Sequence, residues 1–194
     1  MTVSPKKSWI NASLKKNILI GIASMAGVLL LLALGWFLCF NAHFTVYQDE
    51  TNKFSIKYPK TWKAFPHPRD NVAVAFLRPK DTVLDTMQEN FNVTIQPLPD
   101  DLFTLAAFNT RIKRQMMGVF GNNLHIIQDK TLHWGWREGH LMVFEAPLPD
   151  HLKMVNAWVF RSTQVFILTF LGDINKYDQD RLYIDEMIRS LQLQ

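Results

Sequence analysis

The chain has 194 residues, which is enough for one domain of ordinary size plus a short extra segment and too few for two large domains. All 17 acidic residues and 17 of the 21 basic residues lie after residue 43. Residues 44–194 therefore carry no net charge, which gives no electrostatic case for nucleic-acid binding. The single cysteine excludes an internal disulfide, so the domain depends on its hydrophobic core.

The first element is an apolar run over residues 18–40, ILIGIASMAGVLLLLALGWFLCF. It contains no charge, and its 23 residues exceed the ~20 that a helix needs to cross a bilayer. A cleaved signal peptide is the alternative, but its apolar core is shorter, and the small residues Ala33 and Gly35 lie inside the run. Leu38, directly before Cys39, also disagrees with a lipoprotein signal. The sequence therefore predicts a retained transmembrane helix over residues 18–40.

The charges that flank the run predict its orientation. Residues 1–17 form a basic tail without acidic residues, and its lysines are Lys6, Lys7, Lys15 and Lys16. Basic residues favour the cytoplasmic side, so we expect a cytoplasmic N-terminus and, in a bacterium, a periplasmic domain anchored in the inner membrane. Within the helix, Ala23 and Gly27 are four residues apart and could form a small-residue face for packing on another helix.

Residues 41–44 are predicted to form a very short tether to an exported domain over residues 45–194. Three or four residues reach only about 10–15 Å, so the domain is expected to lie against the bilayer surface. A long flexible linker would suit a freely sampling receptor. A short one raises the effective concentration of the domain toward a neighbouring membrane protein.

The first part of the domain has the alternation of β-strands. Phe54, Ile56 and Tyr58 alternate with polar residues, as do Phe91 and Val93 in the segment ENFNVTIQP. The segment NVAVAFL over residues 71–77 is apolar on both sides, which indicates a central strand covered on both faces. These segments predict a sheet.

A helix is predicted after the acidic pair Asp100 and Asp101, because the apolar period changes there. The stripe recurs at spacings of three and four residues, and it consists of Leu105, Phe108, Ile112 and Met116. The acidic pair suits the positive end of the helix dipole. The opposite side carries Arg111, Lys113 and Arg114, which are interpreted as a solvated face, with a docking patch as the alternative.

The remaining chain is predicted to form strands and one closing helix. LHIIQD is followed by a hairpin, TLHWGW to HLMVFEA, with its turn at Glu138-Gly139, and by a second hairpin that turns at Ser162-Thr163. The last helix begins between residues 173 and 177 and buries Ile184, Ile188 and Leu191. Seven to nine strands and two helices predict an α+β fold, an antiparallel sheet sandwiched with helices.

The Tyr58-Pro59 pair and Trp62 form an architectural motif. Proline lacks an N–H and fixes φ, so the strand must end at Pro59. Trp62 is then expected to fold back over the end of the sheet as a large core residue. The alternative is an exposed Trp62 that grips a ligand.

Several segments in this order resemble the PsbP/Mog-like (DcrB-type) fold family. They are Y-Q-D (47–49), F-S-I-K-Y-P-K-T-W (54–62), R-P-K (78–80), F-N-V-T-I (91–95), V-F-I-L-T-F (165–170) and I-R-S-L (188–191). That family includes extrinsic PsbP proteins of photosystem II, DcrB-type envelope lipoproteins and effector chaperones of type VI secretion. The resemblance implies a role in binding or scaffolding rather than catalysis, and it assigns no binding residues.

Motifs for catalysis or cofactor binding are missing from the sequence. The exported domain has three serines and no G-x-S-x-G, and neither of the glycine-rich phosphate loops occurs. His125, His133 and His140 fall in one β region, but the predicted turn at Glu138-Gly139 would separate His133 from His140 along the hairpin. We therefore predict no catalytic residues, no metal site and no cofactor.

Three tryptophans offer one further hypothesis. Trp134, Trp136 and Trp158 are interpreted as core residues, or alternatively as the lining of a groove for lipid or an apolar peptide. The leading functional prediction is a non-enzymatic accessory, assembly or stabilising subunit of an inner-membrane complex. The resemblance alone suggests a photosynthetic or respiratory complex, and the sequence does not choose among them. The alternative is a membrane-anchored periplasmic ligand-binding or chaperone module for lipid, a small molecule or an apolar peptide.

Overall fold

The computed structural model describes residues 6–82, 87–98, 104–146 and 151–194, with side chains from residue 16 onward. The chain divides into two compact units, residues 1–43 and residues 44–194. The acidic pair Asp100 and Asp101 lies outside the described residues, as do the first five residues of the basic tail.

The first unit is a single helix, α1, from Lys6 to Ala42. Its stretch Lys16–Ala42 is long and apolar enough to cross a membrane, which makes it a candidate anchor, and it contains the predicted span of residues 18–40. The helix extends past the predicted end, and the first strand begins at Phe44. His43 is therefore the only residue between helix and strand, where the sequence predicted a tether over residues 41–44.

The second unit contains ten strands and two helices among the described residues. The strands are β1 (Phe44–Asp49), β2 (Phe54–Pro59), β3 (Lys63–Arg69), β4 (Val72–Leu77), β5 (Asn90–Pro97), β6 (His125–Trp134), β7 (Arg137–Ala146), β8 (Leu152–Arg161), β9 (Gln164–Asp173) and β10 (Gln192–Leu193). The helices are α2 (Leu105–Phe120), which a 3₁₀ turn over Gly121–Asn123 follows, and α3 (Tyr177–Arg189). This arrangement confirms the predicted α+β class.

All strand pairs are antiparallel, and the strands form two sheets. The large sheet has the order β3-β4-β5-β9-β8-β7-β6, and the small sheet has the order β1-β2-β10. The strands β4, β5, β9, β8 and β7 are interior, so β4 is flanked on both sides as its apolar sequence predicted. The edges of the large sheet are β3 and β6.

One face of the large sheet packs against α3 and the small sheet. The core there is aromatic and contains Phe54, Phe76, Phe91, Phe166 and Phe170, each fully buried. The predicted apolar residues of the closing helix, Ile184 and Ile188, join this core, and so does Leu191 just after the helix.

The other face of the large sheet packs against α2. Phe108 is buried there with Met142, Phe144, Met154, Trp158 and Val165, and the other residues of the predicted stripe pack against the same cluster. The side chain of Thr104 caps the helix by accepting a hydrogen bond from the Ala107 N–H at 3.1 Å. The stripe thus faces the sheet as the 3.6-residue period requires.

The first hairpin turns at Gly135-Trp136, so the predicted turn at Glu138-Gly139 is wrong. Trp134 pairs with Arg137, and Gly135 has a φ of +62°, which glycine adopts without strain at the first central position of a two-residue turn. Gly139 lies inside β7, where the ring of Trp134 packs over it: a Cβ there would lie 2.5 Å from Trp134 Cζ3. Both glycines are needed, one for the turn and one for the close approach.

Strand β3 was not predicted, because its sequence KAFPHPR contains two prolines. It lies at an edge, where a strand tolerates residues that donate no ladder hydrogen bond. The pairing with β4 shifts register between Pro66 and Arg69, and His67 has a φ of +46° at that irregularity. An edge bulge of this kind also discourages pairing with other chains.

Candidate functional site

The Tyr58-Pro59 motif packs against the aromatic core, with Pro59 buried and Tyr58 partly buried. β2 ends at Pro59, and the Trp62 N–H donates to the Pro59 carbonyl at 2.9 Å. Trp62 is 4% exposed, Phe54 and Ile56 are buried beside it in the same core, and the Tyr58 ring lies 4.7 Å from the Phe76 ring. The position of Trp62 fits a structural role.

The three tryptophans of the groove hypothesis lie in three different places. Trp134 packs against the aromatic core, and its Nε1 donates to the Ile188 carbonyl at 2.7 Å. Trp158 is fully buried on the opposite face of the sheet, under α2. Trp136 is 83% exposed in the hairpin turn, beside the guanidinium of Arg137. The three tryptophans therefore do not share one groove, but Trp158 alone lines a cavity between α2 and the large sheet.

The three histidines do not meet either. His125 pairs with Glu145, His133 with Glu138 and His140 with Thr131, so they are spread along the hairpin. Within the described ranges, no group of three or more His, Cys, Asp or Glu side chains could hold a metal ion.

His140 instead belongs to a chain of hydrogen bonds that we call the α2 relay. Trp158 Nε1 donates to Asn109 Oδ1 at 2.8 Å, and Asn109 Nδ2 lies 3.1 Å from His140 Nδ1. His140 Nε2 contacts Asp129, which also forms an ion pair with Lys113. The relay joins α2 to strands β6, β7 and β8, which fixes one side of the helix on the sheet.

The relay determines the tautomer of His140. The indole nitrogen of Trp158 can only donate, so the Asn109 oxygen must face it and the Asn109 amide nitrogen must face His140. His140 Nδ1 therefore accepts, and Nε2 carries the proton that it donates to Asp129. Both ring nitrogens are thus engaged, so His140 is not a free general base. The Lys113 ammonium, and then His140, lower the pKa of Asp129.

A cavity of about 240 Å³ opens on the other side of α2, between the helix and strands β5, β8 and β9, and we call it the α2 cleft. Its apolar walls include Phe108, Ile112, Met116, Met154 and Ile167. Asn156 also faces it, is only 7% exposed, and its Oδ1 has no hydrogen-bond partner. A buried acceptor without a partner is rare in folded proteins and indicates a group that awaits a donor.

Sequence reasoning missed the α2 cleft, although one signal was available. Thr94 and Gln96, which alternate with Val93 and Ile95 on β5, line the cleft. Asn92 lies opposite Thr169, which lies opposite Asn156, so three uncharged polar side chains cross the centre of the sheet. Only the strand register, which joins segments far apart in sequence, reveals that row.

A second polar cluster, which includes the buried carboxylates of Glu89 and Asp180, lies at the start of α3. Arg78 Nε is 2.9 Å from Asp180 Oδ2, and its Nη1 is 2.8 Å from Asp81 Oδ1 and 3.8 Å from Glu89 Oε2. Lys176 Nζ lies 3.3 Å from Asp81 and 3.7 Å from Glu89. Burial raises the pKa of Asp180, and Arg78 opposes that shift. The Arg78 guanidinium donates to Asp81 and lowers its pKa. We call these five residues the Arg78 cluster, and its burial favours a structural role.

Exposed apolar side chains flank the 3₁₀ turn that follows α2. Met117 and Val119 lie on the last turn of the helix, and Ile126 and Ile127 on the first residues of the edge strand β6. Their exposures are 59%, 66%, 41% and 54%. We call these four residues the apolar corner. Each of these four apolar side chains is open to solvent.

The domain is thus an α+β sandwich with a cleft on one side of α2 and exposed apolar side chains near the end of that helix. Residues 42–131 match the family model described as PsbP. No curated protein matches the chain in sequence.

Three solved structures match the domain over nearly their whole length. Cyanobacterial PsbP (CyanoP) from Synechocystis superposes with a TM-score of 0.60 at 14% identity, covering 79% of this chain and 94% of CyanoP. The Ran-binding protein Mog1p of Saccharomyces cerevisiae has a TM-score of 0.55 at 9% identity, covering 77% and 95%. PA94 of Pseudomonas aeruginosa has a TM-score of 0.52 at 12% identity, covering 78% and 98%. Residues 44–194 thus have the PsbP/Mog-like fold, as the sequence resemblance predicted.

Proposed function

We propose that the protein is a non-enzymatic accessory subunit that assembles or stabilises a protein complex of the bacterial inner membrane. In this proposal α1 crosses the membrane with the lysine-rich tail in the cytoplasm, and the PsbP/Mog-like domain docks on the periplasmic face of the partner. The lysines before the span and the absence of acidic residues there support that orientation. A photosynthetic or respiratory complex is the partner we favour.

The observation that carries the proposal is the one-residue connection. α1 ends at Ala42 and β1 begins at Phe44, so the domain has no flexible linker with which to search for distant ligands. Such a connection favours a partner that lies beside the helix in the membrane. The fold supports the same reading, because one of the solved structures similar to this domain, Mog1p, is a Ran-binding protein.

Two surfaces are proposed to make the contact. In the membrane, Ala23 and Gly27 lie about one helical turn apart, and a Cβ added at Gly27 would meet nothing within 4 Å in this chain. That face is open for the close approach of another helix. On the domain, the apolar corner at the end of α2 offers a hydrophobic contact whose burial would stabilise a complex.

Co-purification from native membranes tests the proposal. The full chain with a C-terminal tag is solubilised in mild detergent, and proteins that co-purify in fixed ratio are identified. We expect one defined complex, which is lost when Gly27→Leu and Ala23→Leu fill the helix face. Gly21→Leu is the matched control, because it lies about 120° around the helix from Gly27 and also has open space beside it.

A second pair of variants tests the domain surface. Ile127→Lys and Met117→Lys should weaken co-purification, whereas Leu182→Lys, on the exposed side of α3, should not. Recovery of the tagged protein alone, or with lipid and no partner, would refute the accessory-subunit proposal. A complex that survives both groups of variants would show that other surfaces make the contact.

A further inference from the structure

We propose that the α2 cleft binds the carboxylate end of an N-acylated apolar amino acid, a chemistry that occurs both in small N-acyl amino acids and at the C-terminus of a polypeptide. This site is separate from the helix face and the apolar corner, and the proposal does not depend on the accessory-subunit role. It rests on four features of the cleft: an unpaired hydrogen-bond acceptor, the uncharged polar side chains beside it, a basic residue that lines the cleft, and the volume of the cleft.

The acceptor is Asn156 Oδ1. Asn156 lies on β8 in the interior of the large sheet, faces the cleft, and is more than nine-tenths buried. Its side-chain oxygen has no partner in the protein. A carbonyl oxygen can only accept, so the missing group is a donor such as an amide N–H. An N-acylated amino acid carries one such N–H next to its carboxylate.

Uncharged polar side chains beside Asn156 extend the hydrogen-bonding capacity of the cleft floor, which the sheet forms. Thr169 lies opposite Asn156 on the neighbouring strand, and Thr94 and Gln96 continue the lining on β5. These side chains are uncharged and contain both donors and acceptors, which suits the C=O and N–H of one amide. Gln115 adds a further amide from α2. An array of neutral polar groups favours a ligand that contains an amide over an ammonium group or a metal ion.

The cation is Arg111, which lines the cleft from α2 and is exposed. Among the described residues, Arg111 has no carboxylate within ion-pair distance. Every charged residue of α2 is basic, namely Arg111, Lys113 and Arg114, and Lys113 alone is paired, with Asp129. A planar guanidinium can donate two parallel hydrogen bonds to a carboxylate. Arg111 at the cleft therefore favours a ligand with a terminal carboxylate.

The size of the cleft limits what can enter it. Its volume of about 240 Å³ is below the ~300–1,000 Å³ of pockets for drug-sized ligands. One amino acid with its acyl group, free or at the end of a polypeptide, is the appropriate scale, whereas a diacyl lipid is too large. The apolar walls contain Met116 and Met154, whose flexible thioethers adapt to different aliphatic side chains.

Calorimetric titration of the full chain in a non-ionic detergent tests the proposal, with N-acetyl-L-leucine as the ligand. We expect saturable binding, and about tenfold weaker binding of N-acetyl-L-leucine amide, which lacks the charge that Arg111 recognises. Arg111→Gln should bind the acid and its amide equally well. Arg114→Gln is the matched control, because Arg114 does not line the cleft, and it should keep the tenfold preference.

Asn156→Leu tests the acceptor independently of the charge. It has a similar volume and no acceptor, so both ligands should bind about tenfold more weakly while the preference for the acid remains. If this variant fails to fold, the Arg111→Gln variant still tests the proposal through the preference for the acid over its amide. Arg111 is exposed, so its replacement leaves the core intact.

An acetylated heptapeptide that ends in leucine distinguishes the two sources of the ligand. Binding at least as tight as that of N-acetyl-L-leucine would assign the site to a polypeptide C-terminus, and much weaker binding would assign it to a small N-acyl amino acid. No saturable heat at about 10 mM N-acetyl-L-leucine, tenfold above a 1 mM dissociation constant, would overturn the proposal. An unchanged preference for the acid in Arg111→Gln would overturn it as well.

Discussion

Replacement of Arg78 by methionine should test how strongly the Arg78 cluster depends on its central cation. Arg78 forms an ion pair with Asp180, and the side chains of Asp180 and Glu89 are only 5% and 1% exposed. Methionine keeps the length and apolar stem of the side chain, so the change removes mainly the charge and its hydrogen bonds.

The expected loss follows from what remains after the substitution. Removing one partner of a buried ion pair costs about 3–5 kcal/mol, because the other charge stays buried without compensation. Lys176 still lies 3.7 Å from Glu89, so one of the two buried carboxylates keeps a cation. We therefore expect a decrease of about 3 kcal/mol in the free energy of unfolding, or about 6–12 °C in Tm for a domain of this size.

The assay is urea unfolding of the full chain in mild detergent, followed by the fluorescence of the buried tryptophans. Arg181→Met is the control: Arg181 is 63% exposed and 4.0 Å from Asp185, so its loss should cost less than about 0.5 kcal/mol. The double variant Arg78→Met/Asp180→Asn should recover part of the loss, because it also removes one buried charge.

The pH dependence gives this prediction a second readout. Burial raises the pKa of Asp180, and Arg78 opposes that shift, so removing Arg78 raises the pKa further. The folded state then binds the proton more tightly than the unfolded state, and stability falls as pH rises between the unfolded and folded pKa values. The deficit of Arg78→Met should therefore shrink on acidification. A loss below about 1 kcal/mol without this pH dependence would refute the buried-charge reasoning.

Two other predictions concern the relay and the close approach at Gly139. The pKa of Asp129 is lowered by Lys113 and then by His140, so its stabilising contribution is present above the unfolded value of ~3.9 and is lost as pH falls through the folded value. Asp129→Asn should remove this part of the acid dependence in pH-dependent unfolding, and an unchanged profile would contradict it. Gly139→Ala should destabilise the domain by about 1–3 kcal/mol in the same assay, because its Cβ would meet Trp134 and the Trp158 carbonyl oxygen. Gly118→Ala, where a Cβ meets nothing within 4 Å, should be neutral or stabilise α2 by up to ~1 kcal/mol, and equal costs at the two glycines would refute the packing argument.

Local patterns in the sequence predicted most of the elements because each pattern reflects one buried face. The stripe of α2 and the alternation around Phe91 required no knowledge of distant partners, and both face the cores as expected. β3 escaped prediction because its prolines are acceptable only at an edge, and edge position is a property of the whole sheet.

The candidate site was harder to predict because it depends on strand register. Placing the turn at Glu138-Gly139 instead of Gly135-Trp136 changes every pair in the hairpin, and His133 moves from its true partner Glu138 to the neighbourhood of Phe144. The relay joins residues from α2, β6, β7 and β8, and the polar row joins β5, β9 and β8. Neither set has a short sequence signature.

The two faces of the large sheet differ in how completely they are covered. We infer that the fully covered face stabilises the domain and that the other face carries the binding site. The face under α3 and the small sheet is filled by phenylalanines and contains the Tyr58-Pro59 motif and Trp62. On the other face, α2 is fixed along one side by the relay and borders the cleft along its other side. A polar row at the centre of that face would weaken a closed core, because Asn156 stays unsatisfied there. Its presence is consistent with a sheet that sacrifices some stability on the α2 side to keep a site open, while the aromatic side holds the domain together.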